Sequence, residues 1–358
     1  MRILAIDVGV GTQDVLLYDD SVAPENSIKL VLPAMTRVLA RRILSSKKNL
    51  LFYGETMGGG PLALAIAKHI ERGYKIVMTE NSARSIRDNL EQVEEMGVEI
   101  ISDSEIDKYN YERIETRDID FQILERVFSA AGESFSFDCI AIAVQDHGHV
   151  QGREISDRIF RFEKFREALE RDDRLSSLAY TSPPKYFTRM NAALRTARKF
   201  YKGKIVVADT KIAAIAGALH GVKERPAICI DTGNGHTMAA LVEKAGKLSG
   251  IFEHHTHMLT RKRLENLLIR FAEGELTDKE VFSGGGHGCC IRKKVGMKNV
   301  KKIMVTGPNR ELLKNSKLEV EFSIPLGDAM MAGPIGLVDI INETSNPQPV
   351  CRRRHLNT

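Results

Sequence analysis

Two stretches of this chain place a carboxylate and a pair of glycines where chemistry is possible, in the same order each time. In residues 1–19 an apolar run, Ile3 to Ile6, leads into Asp7. A turn with Gly9 and Gly11 follows, then Thr12 and a second apolar run, Val15 to Tyr18. In residues 226–242 an apolar run ends in Asp231; Gly233, Asn234 and Gly235 follow, then a polar residue, Thr237 and more apolar residues. Strand, glycine-rich turn, strand is a β-hairpin. Glycines permit torsions that other residues avoid, and they let backbone N–H groups come close to an anion. An aspartate at the lip of such a turn can hold a metal, directly or through water. Two such turns half a chain apart suggest duplicated half-domains gripping a polyphosphate from opposite sides, with a metal between the aspartates. A dinucleotide site would need a third glycine and a helix after the turn. Here a strand follows instead. Either hairpin alone could be a plain turn.

Three further clusters could contribute. The apolar run Phe137 to Val144 ends in Gln145-Asp146-His147-Gly148-His149. Polar residues on the carboxyl edge of a sheet are where α/β proteins bind ligands. Asp146 could serve as a general base, Gln145 could orient water, and His147 could meet a substrate; a surface turn is the alternative. Gly58-Gly59-Gly60, before Pro61, could hold an anion at a helix start or simply allow close packing. The third cluster gathers His254, His255, His257, Gly285, Gly286, His287, Cys289 and Cys290. Strand alternation would put His255 and His257 on one face, as a transition-metal site with His287 would need. Hydrogen bonding to phosphate or to a substrate carboxylate, or helix capping, are the alternatives. Gly285 and Gly286 belong to a flexible loop expected to meet the nucleotide or substrate.

The hairpin pair resembles the two phosphate motifs of the actin-like ATPase superfamily, which includes actin, DnaK-type chaperones and sugar kinases. Asp209-Thr-Lys-Ile-Ala-Ala-Ile-Ala-Gly-Ala-Leu is similar to the connecting helix of the chaperones. Lys301-Lys-Ile-Met-Val-Thr-Gly-Pro-Asn-Arg resembles the adenosine motif, with Gly307-Pro308 replacing its usual double glycine. Within the superfamily the nearest match is a mainly archaeal family labelled "putative pyruvate formate-lyase activating enzyme". The resemblance implies two ribonuclease H-like α/β domains around a nucleotide cleft. ATP phosphates would lie on Gly9, Gly11, Thr12, Gly233, Asn234, Gly235 and Thr237, with Gly307 near the nucleoside. Asp7 and Asp231 would hold Mg²⁺, Asp231 alternatively acting as acceptor base. The strand ending in Gln145 resembles one that sugar kinases place near the transfer site. The reaction implied is γ-phosphoryl transfer to a small-molecule acceptor. An ATPase switch acting on a protein partner, or a non-catalytic nucleotide- or metal-binding protein, are the alternatives.

The elements that must position these residues are legible in outline. The first unit is expected over residues 1–222, with an inserted βαβ piece over about 46–117, and the second over 223–343. Within the insertion the pattern predicts strands at Leu50 to Tyr53, Ile76 to Met78 and Val98 to Ile101, and a helix from Ser82 to Met96. Residues 104–117 read as an exposed connection. Residues 151–174 suggest an amphipathic helix or lid, Ser177 to Thr181 a strand, and Thr188 to Tyr201 a helix with Arg189 near its start, a candidate for the substrate side. A last helix is expected over Gly327 to Ile341, then a disordered tail over 344–358.

Composition sets the bounds. The chain has 358 residues, 52 Lys and Arg against 47 Asp and Glu, so its net charge of +5 forces no nucleic-acid footprint. No signal-type leader or membrane-spanning run is apparent, so the expectation is cytoplasmic. The five cysteines lack framework spacing, and Cys139 and Cys229 sit in apolar runs. No Cys-x-x-x-Cys-x-x-Cys occurs, so the radical-SAM cluster that a glycyl-radical activase would need has no ligands at hand.

Overall fold

The computed structural model describes residues 1–150, 152 and 155–345. Strands β1 (Arg2–Val8) and β2 (Thr12–Asp19) form the first hairpin, with Asp7 opposite Asp14, and β3 (Ile28–Pro33) continues the meander. Helix α1 (Met35–Ser45) leads into the insertion: β4 (Leu50–Gly54), α2 (Gly60–Glu71), β5 (Ile76–Thr79), α3 (Glu80–Ala83), α4 (Leu90–Glu95), β6 (Val98–Ile101) and β7 (Glu112–Thr116). These strands form a separate parallel sheet in the order β6-β5-β4-β7.

Two expectations fail here. The helix expected from Ser82 to Met96 is broken, because residues 84–89 leave the helical path. Ser85 turns back to Met57 and Gly59, and Asn89 caps a new helix start by accepting from Glu91 N–H. The connection expected over 104–117 contains the edge strand β7. Its Glu-Arg-Ile-Glu-Thr sequence buries only Ile114 and Thr116, too weak a pattern to read as a strand.

Helix α5 (Phe121–Ala130), β8 (Cys139–Val144), α6 (Asp157–Arg171), β9 (Ala179–Tyr180), α7 (Thr188–Phe200) and β10 (Lys204–Asp209) complete the first unit. Its sheet runs β3-β2-β1-β8-β10-β9. Every residue of β8 is buried, because α5 and α7 cover one face of this sheet and the C-terminal helix the other. The strand expected at Ser177 to Thr181 is reduced to β9 by a 3₁₀ turn at Leu175–Leu178. Helix α6 is no mobile lid: Phe162, Phe165, Ala168 and Leu169 enter the core of the second sheet.

Helix α8 (Thr210–Ala218) crosses to the second unit, which holds β11 (Ala227–Thr232), β12 (His236–Val242), β13 (Leu248–His255), α9 (Arg261–Ala272), α10 (Asp278–Ser283), β14 (Gly286–Ile291), β15 (Lys302–Thr306), β16 (Glu321–Phe322) and α11 (Ala332–Ser345). Its sheet runs β14-β13-β12-β11-β15-β16. In both large sheets an antiparallel three-strand meander is joined through its first strand to a parallel neighbour: β1 to β8, β11 to β15. That duplicated order is the two-domain actin-like arrangement.

Helix α11, which the sequence pattern groups with the second unit, packs Ile335, Leu337, Val338 and Ile341 against Ile3, Ala5 and Leu16 of the first sheet. Its last two residues, 344 and 345, fall where the tail was expected to begin; residues 346–358, with Cys351 and the arginine run, lie outside the described residues. No helix among the described residues is long and apolar enough to cross a membrane.

Candidate functional site

The parallel registers β1–β8 and β11–β15 bring the ends of four strands to one place. Between them opens a cleft of about 440 Å³ lined by both hairpin turns, Gly58 to Pro61, Gln145 to His147, Arg189 and Gly307. The hairpin tips face each other closely: a Cβ on Gly11 would stand 3.5 Å from the Asn234 side-chain nitrogen. In each turn the first glycine closes the hairpin, Gly9 N–H to the Thr12 carbonyl at 2.9 Å and Gly233 N–H to the His236 carbonyl at 3.0 Å. Gly307 lies beneath the second turn at φ +94°, where a Cβ would meet Asp231 Oδ1 at 2.5 Å, so only glycine fits.

Behind the turns lie the buried charges. Asp7 accepts from Thr210 Oγ1 at 2.6 Å; burial pushes its pKa up to about 7 against that hydrogen bond. Asp14, opposite it in the hairpin, is pushed by burial to about 8, and its Oδ1 has no hydrogen-bond partner. Neither carboxylate has an ion-pair partner among the described residues. Asp231 does: Lys211 Nζ lies 2.5 Å from Oδ2, and a Cβ on Gly233 would stand 2.2 Å from that ammonium. Burial works against the charge on Lys211, but the field and hydrogen bond of Asp231 outweigh it and raise its pKa. Asp14, Thr210 and Lys211 were not singled out in the sequence. The signal was the Asp209-Thr210-Lys211 junction, where a strand ends and a helix begins on the same sheet edge.

Other expected residues take different places. Thr237 does not line the cleft; its hydroxyl meets Thr256 Oγ1 at 3.0 Å, and Thr256 donates to the Gly233 carbonyl, bracing the turn from behind. Asp146 lines the cleft, and its oxygens accept Gly148 N–H at 2.8 Å and Met190 N–H at 2.9 Å, which pins the β8 edge to α7. Burial, working against those two bonds, places its pKa at about 6. Arg189 reaches the cleft and is tied to Asp118 by two bonds of 2.7 and 2.9 Å. At Gly59 a Cβ would land 2.0 Å from the Ser85 carbonyl, so this glycine serves close packing; Gly58 donates its N–H to Asp118 at 3.0 Å.

Gly285 and Gly286 form the tight turn between α10 and β14 and stay out of the cleft; a Cβ on Gly286 would meet Val281 and Glu253. Cys289 and Cys290 point from β14 into two different cores, and burial raises both thiol pKa values.

The histidines regroup. His255 and His257 do not share a strand face, because β13 ends at His255 and the chain turns into a 3₁₀ helix. The nitrogens that converge are those of His147, His236 and His287, all within 4.8 Å of one another. His255 stands beside them, its ring centre 5.0 Å from that of His287, without joining the set. His254 is buried and bonds the His255 carbonyl. Burial pulls the pKa of His147 well below the ordinary value and that of His236 to about 3.

Underneath runs a buried ion network absent from the sequence reading. Arg161 of α6 bonds Asp209 through both terminal nitrogens, 2.7 and 3.1 Å, and Glu253 through Nε at 2.8 Å. Burial alone would raise the Glu253 pKa; the Arg161 charge, together with His287 and His236, outweighs it and holds it well below the usual range.

Residues 57–312 match the model of the family described as "Putative pyruvate format-lyase activating enzyme (DUF1786)". No curated protein sequence matches the chain. Among solved structures the chain is similar to the activator of the 2-hydroxyisocaproyl-CoA dehydratase from Clostridium difficile with bound ADPNP, at 8% identity over 98% of this chain and 99% of that one, TM-score 0.37. It is also similar to the inorganic polyphosphate/ATP-glucomannokinase from Arthrobacter sp. strain KM, at 12% identity over 96% and 99%, TM-score 0.39. A third is the ROK family glucokinase from Streptomyces griseus in complex with glucose and AMPPNP, at 10% identity over 95% and 99%, TM-score 0.36.

Proposed function

The chain belongs to the DUF1786 family, and from that premise and the cleft's own chemistry we propose that it binds Mg-ATP and transfers the γ-phosphoryl group to a small-molecule acceptor. The observation that carries this reading is the pair of glycine turns meeting tip to tip over Asp7, Lys211 and Asp231. Backbone amides at Gly11, Asn234 and Gly235 would receive phosphate oxygens, and Lys211 would add a fixed positive charge behind the second turn.

Mg²⁺ fits the other side. Asp7 and Asp14 are buried carboxylates without an ion-pair partner among the described residues, one with an orphaned oxygen, and hard oxygen donors suit that ion. Asp7 would hold it with Asp14 behind and Asp231 across the cleft. When bound, it supplies neutralisation of the phosphate charge. The compartment beyond the turns, walled by Thr56, Met57, Arg84, Arg87 and Asp88 of the insertion, offers the acceptor a place beside Arg189. A pocket built into the wall favours a small acceptor over a protein one.

Thermal melting with Mg-ATP tests the reading. At ~100 times the dissociation constant, binding adds ~2.7 kcal/mol. The expected shift disappears in Asp7→Ala. A variant that responds to Mg-ATP like the parent overturns the assignment. ATP consumption that no acceptor accelerates would point to the switch reading.

A further inference from the structure

His147 leaves the end of β8, His236 opens β12 and His287 lies in β14, so the first ring comes from one half and the other two from the other. His147 and His236 line the cleft, while His287 is buried beneath them.

One of the rings has a nitrogen held, and a second faces a carboxylate. His236 Nδ1 is 2.9 Å from the Gln145 side-chain amide. His287 Nδ1 faces Glu253 Oε2 at 3.5 Å, which is too long for a hydrogen bond and leaves that nitrogen, and Glu253 Oε1, buried without a partner. Buried polar atoms left unpaired cost stability, and here both lie around one point. Arg161 bridges two buried carboxylates, Asp209 and Glu253, the second of which faces His287.

We propose that His147, His236 and His287 bind one divalent transition-metal ion of the zinc class, oriented by Glu253 and Gln145, with the fourth coordination position open to the cleft. Imidazole is a donor that zinc, copper, nickel and iron accept. Three protein ligands and one open position make the catalytic rather than the structural type of site. With Zn–N near ~2.1 Å, tetrahedral nitrogens stand ~3.4 Å apart. The rings therefore draw together from their present 4.8 Å limit, a movement that side-chain torsions supply. On binding, His287 Nδ1–H closes on Glu253, giving the carboxylate–histidine–metal relay, and the Gln145 amide turns its oxygen toward His236 Nδ1–H. The open position takes water or an anionic oxygen of whatever occupies the cleft. Because the ligands come from both halves, the ion also ties the halves together across the cleft. The site stands independently of the nucleotide reading.

Chelator-stripped full-length protein is titrated with Zn²⁺ and, separately, Co²⁺. The expected result is one equivalent per chain by plasma emission, and a Co²⁺ visible spectrum of four-coordinate type. His147→Gln and His287→Ala each weaken binding by at least tenfold; Glu253→Gln weakens it ~10–100-fold. His257→Ala, outside the trio, binds as the parent does. Far-ultraviolet circular dichroism checks each variant's fold; His147→Gln, at the partly buried cleft edge, serves if His287→Ala does not fold. Less than one equivalent in the parent, a six-coordinate Co²⁺ spectrum, or full affinity in His147→Gln overturns the site. A parent that binds Co²⁺ in this way but gives no Mg-ATP shift sinks the nucleotide reading and leaves the metal centre standing.

Discussion

At the residue scale the cleft depends on charges buried in matched sets. Arg161 is fully buried and joins three elements: α6, which carries it; the Asp209 cap of α8; and Glu253 of β13. A buried ion set is not in itself a large source of stability, but removing one member strands the others in a low dielectric. Arg161→Leu therefore leaves Asp209 and Glu253 without a counter-charge and is expected to cost about 3–5 kcal/mol. Urea denaturation measures this directly; a loss below 1 kcal/mol would show that water reaches the pair. The same reasoning separates Lys211 from the aspartate it neutralises. Asp231 cannot act as a free carboxylate while the ammonium sits 2.5 Å away, so Lys211 is the group through which that side of the cleft meets an anion.

At the element scale α8 and α11 cross in a close contact made possible by glycine. A Cβ on Gly217 of α8 would stand 1.7 Å from the Ala332 carbonyl, and one on Gly336 of α11 would stand 1.9 Å from the Ala213 carbonyl. Both obstacles are backbone, which cannot swing aside. Gly217→Ala should cost at least the ~1–3 kcal/mol of an overpacked core and push α11 away from Asp7. The expected readout is a lower melting temperature together with weaker Mg-ATP binding; unchanged melting would mean the helices separate freely.

The same helices meet again where His220, just past α8, pairs with Asp339 of α11, Nδ1 to Oδ2 at 2.9 Å. The hydrogen bond to Asp339, and then its charge, raise the His220 pKa against the effect of burial. A raised histidine contributes stability that is complete below its unfolded pKa of ~6.5 and is lost as pH climbs through the folded value. The melting temperature of the parent should thus exceed that of His220→Gln at pH 6, and the gap should narrow by pH 9. A gap that is constant across that range would assign the effect to packing.

At the scale of the whole molecule, two similar sheets face a common cleft and a third, parallel sheet is set into one wall. Closing such a cleft around a ligand excludes water and strengthens every charge interaction inside it. Small-angle scattering should show the radius of gyration falling when Mg-ATP is added, and Asp7→Ala should abolish the change. If the parent stays the same size with nucleotide bound, the halves are already closed.

The duplicated hairpins, their aspartates and most strands were legible in the sequence because they rest on local physics. Apolar strand runs, glycine in tight turns and a polar residue at a strand end are written within about twenty residues of one another. Asp7, Gly11, Asn234 and Gly307 line the cleft. What failed depended on partners far along the chain. That Met190, forty-four residues on, would bond one oxygen of Asp146 is nowhere written in the local sequence. His255 and His257 read as a ligand pair until the strand ends between them. The trio that does converge joins positions 147, 236 and 287 through three strand ends, and Arg161 finds Asp209 and Glu253 only when α6 is packed on the second sheet. Spacing along a chain encodes periodicity, turns and caps; it carries no record of which buried charge will lie against which, because tertiary packing alone sets those distances.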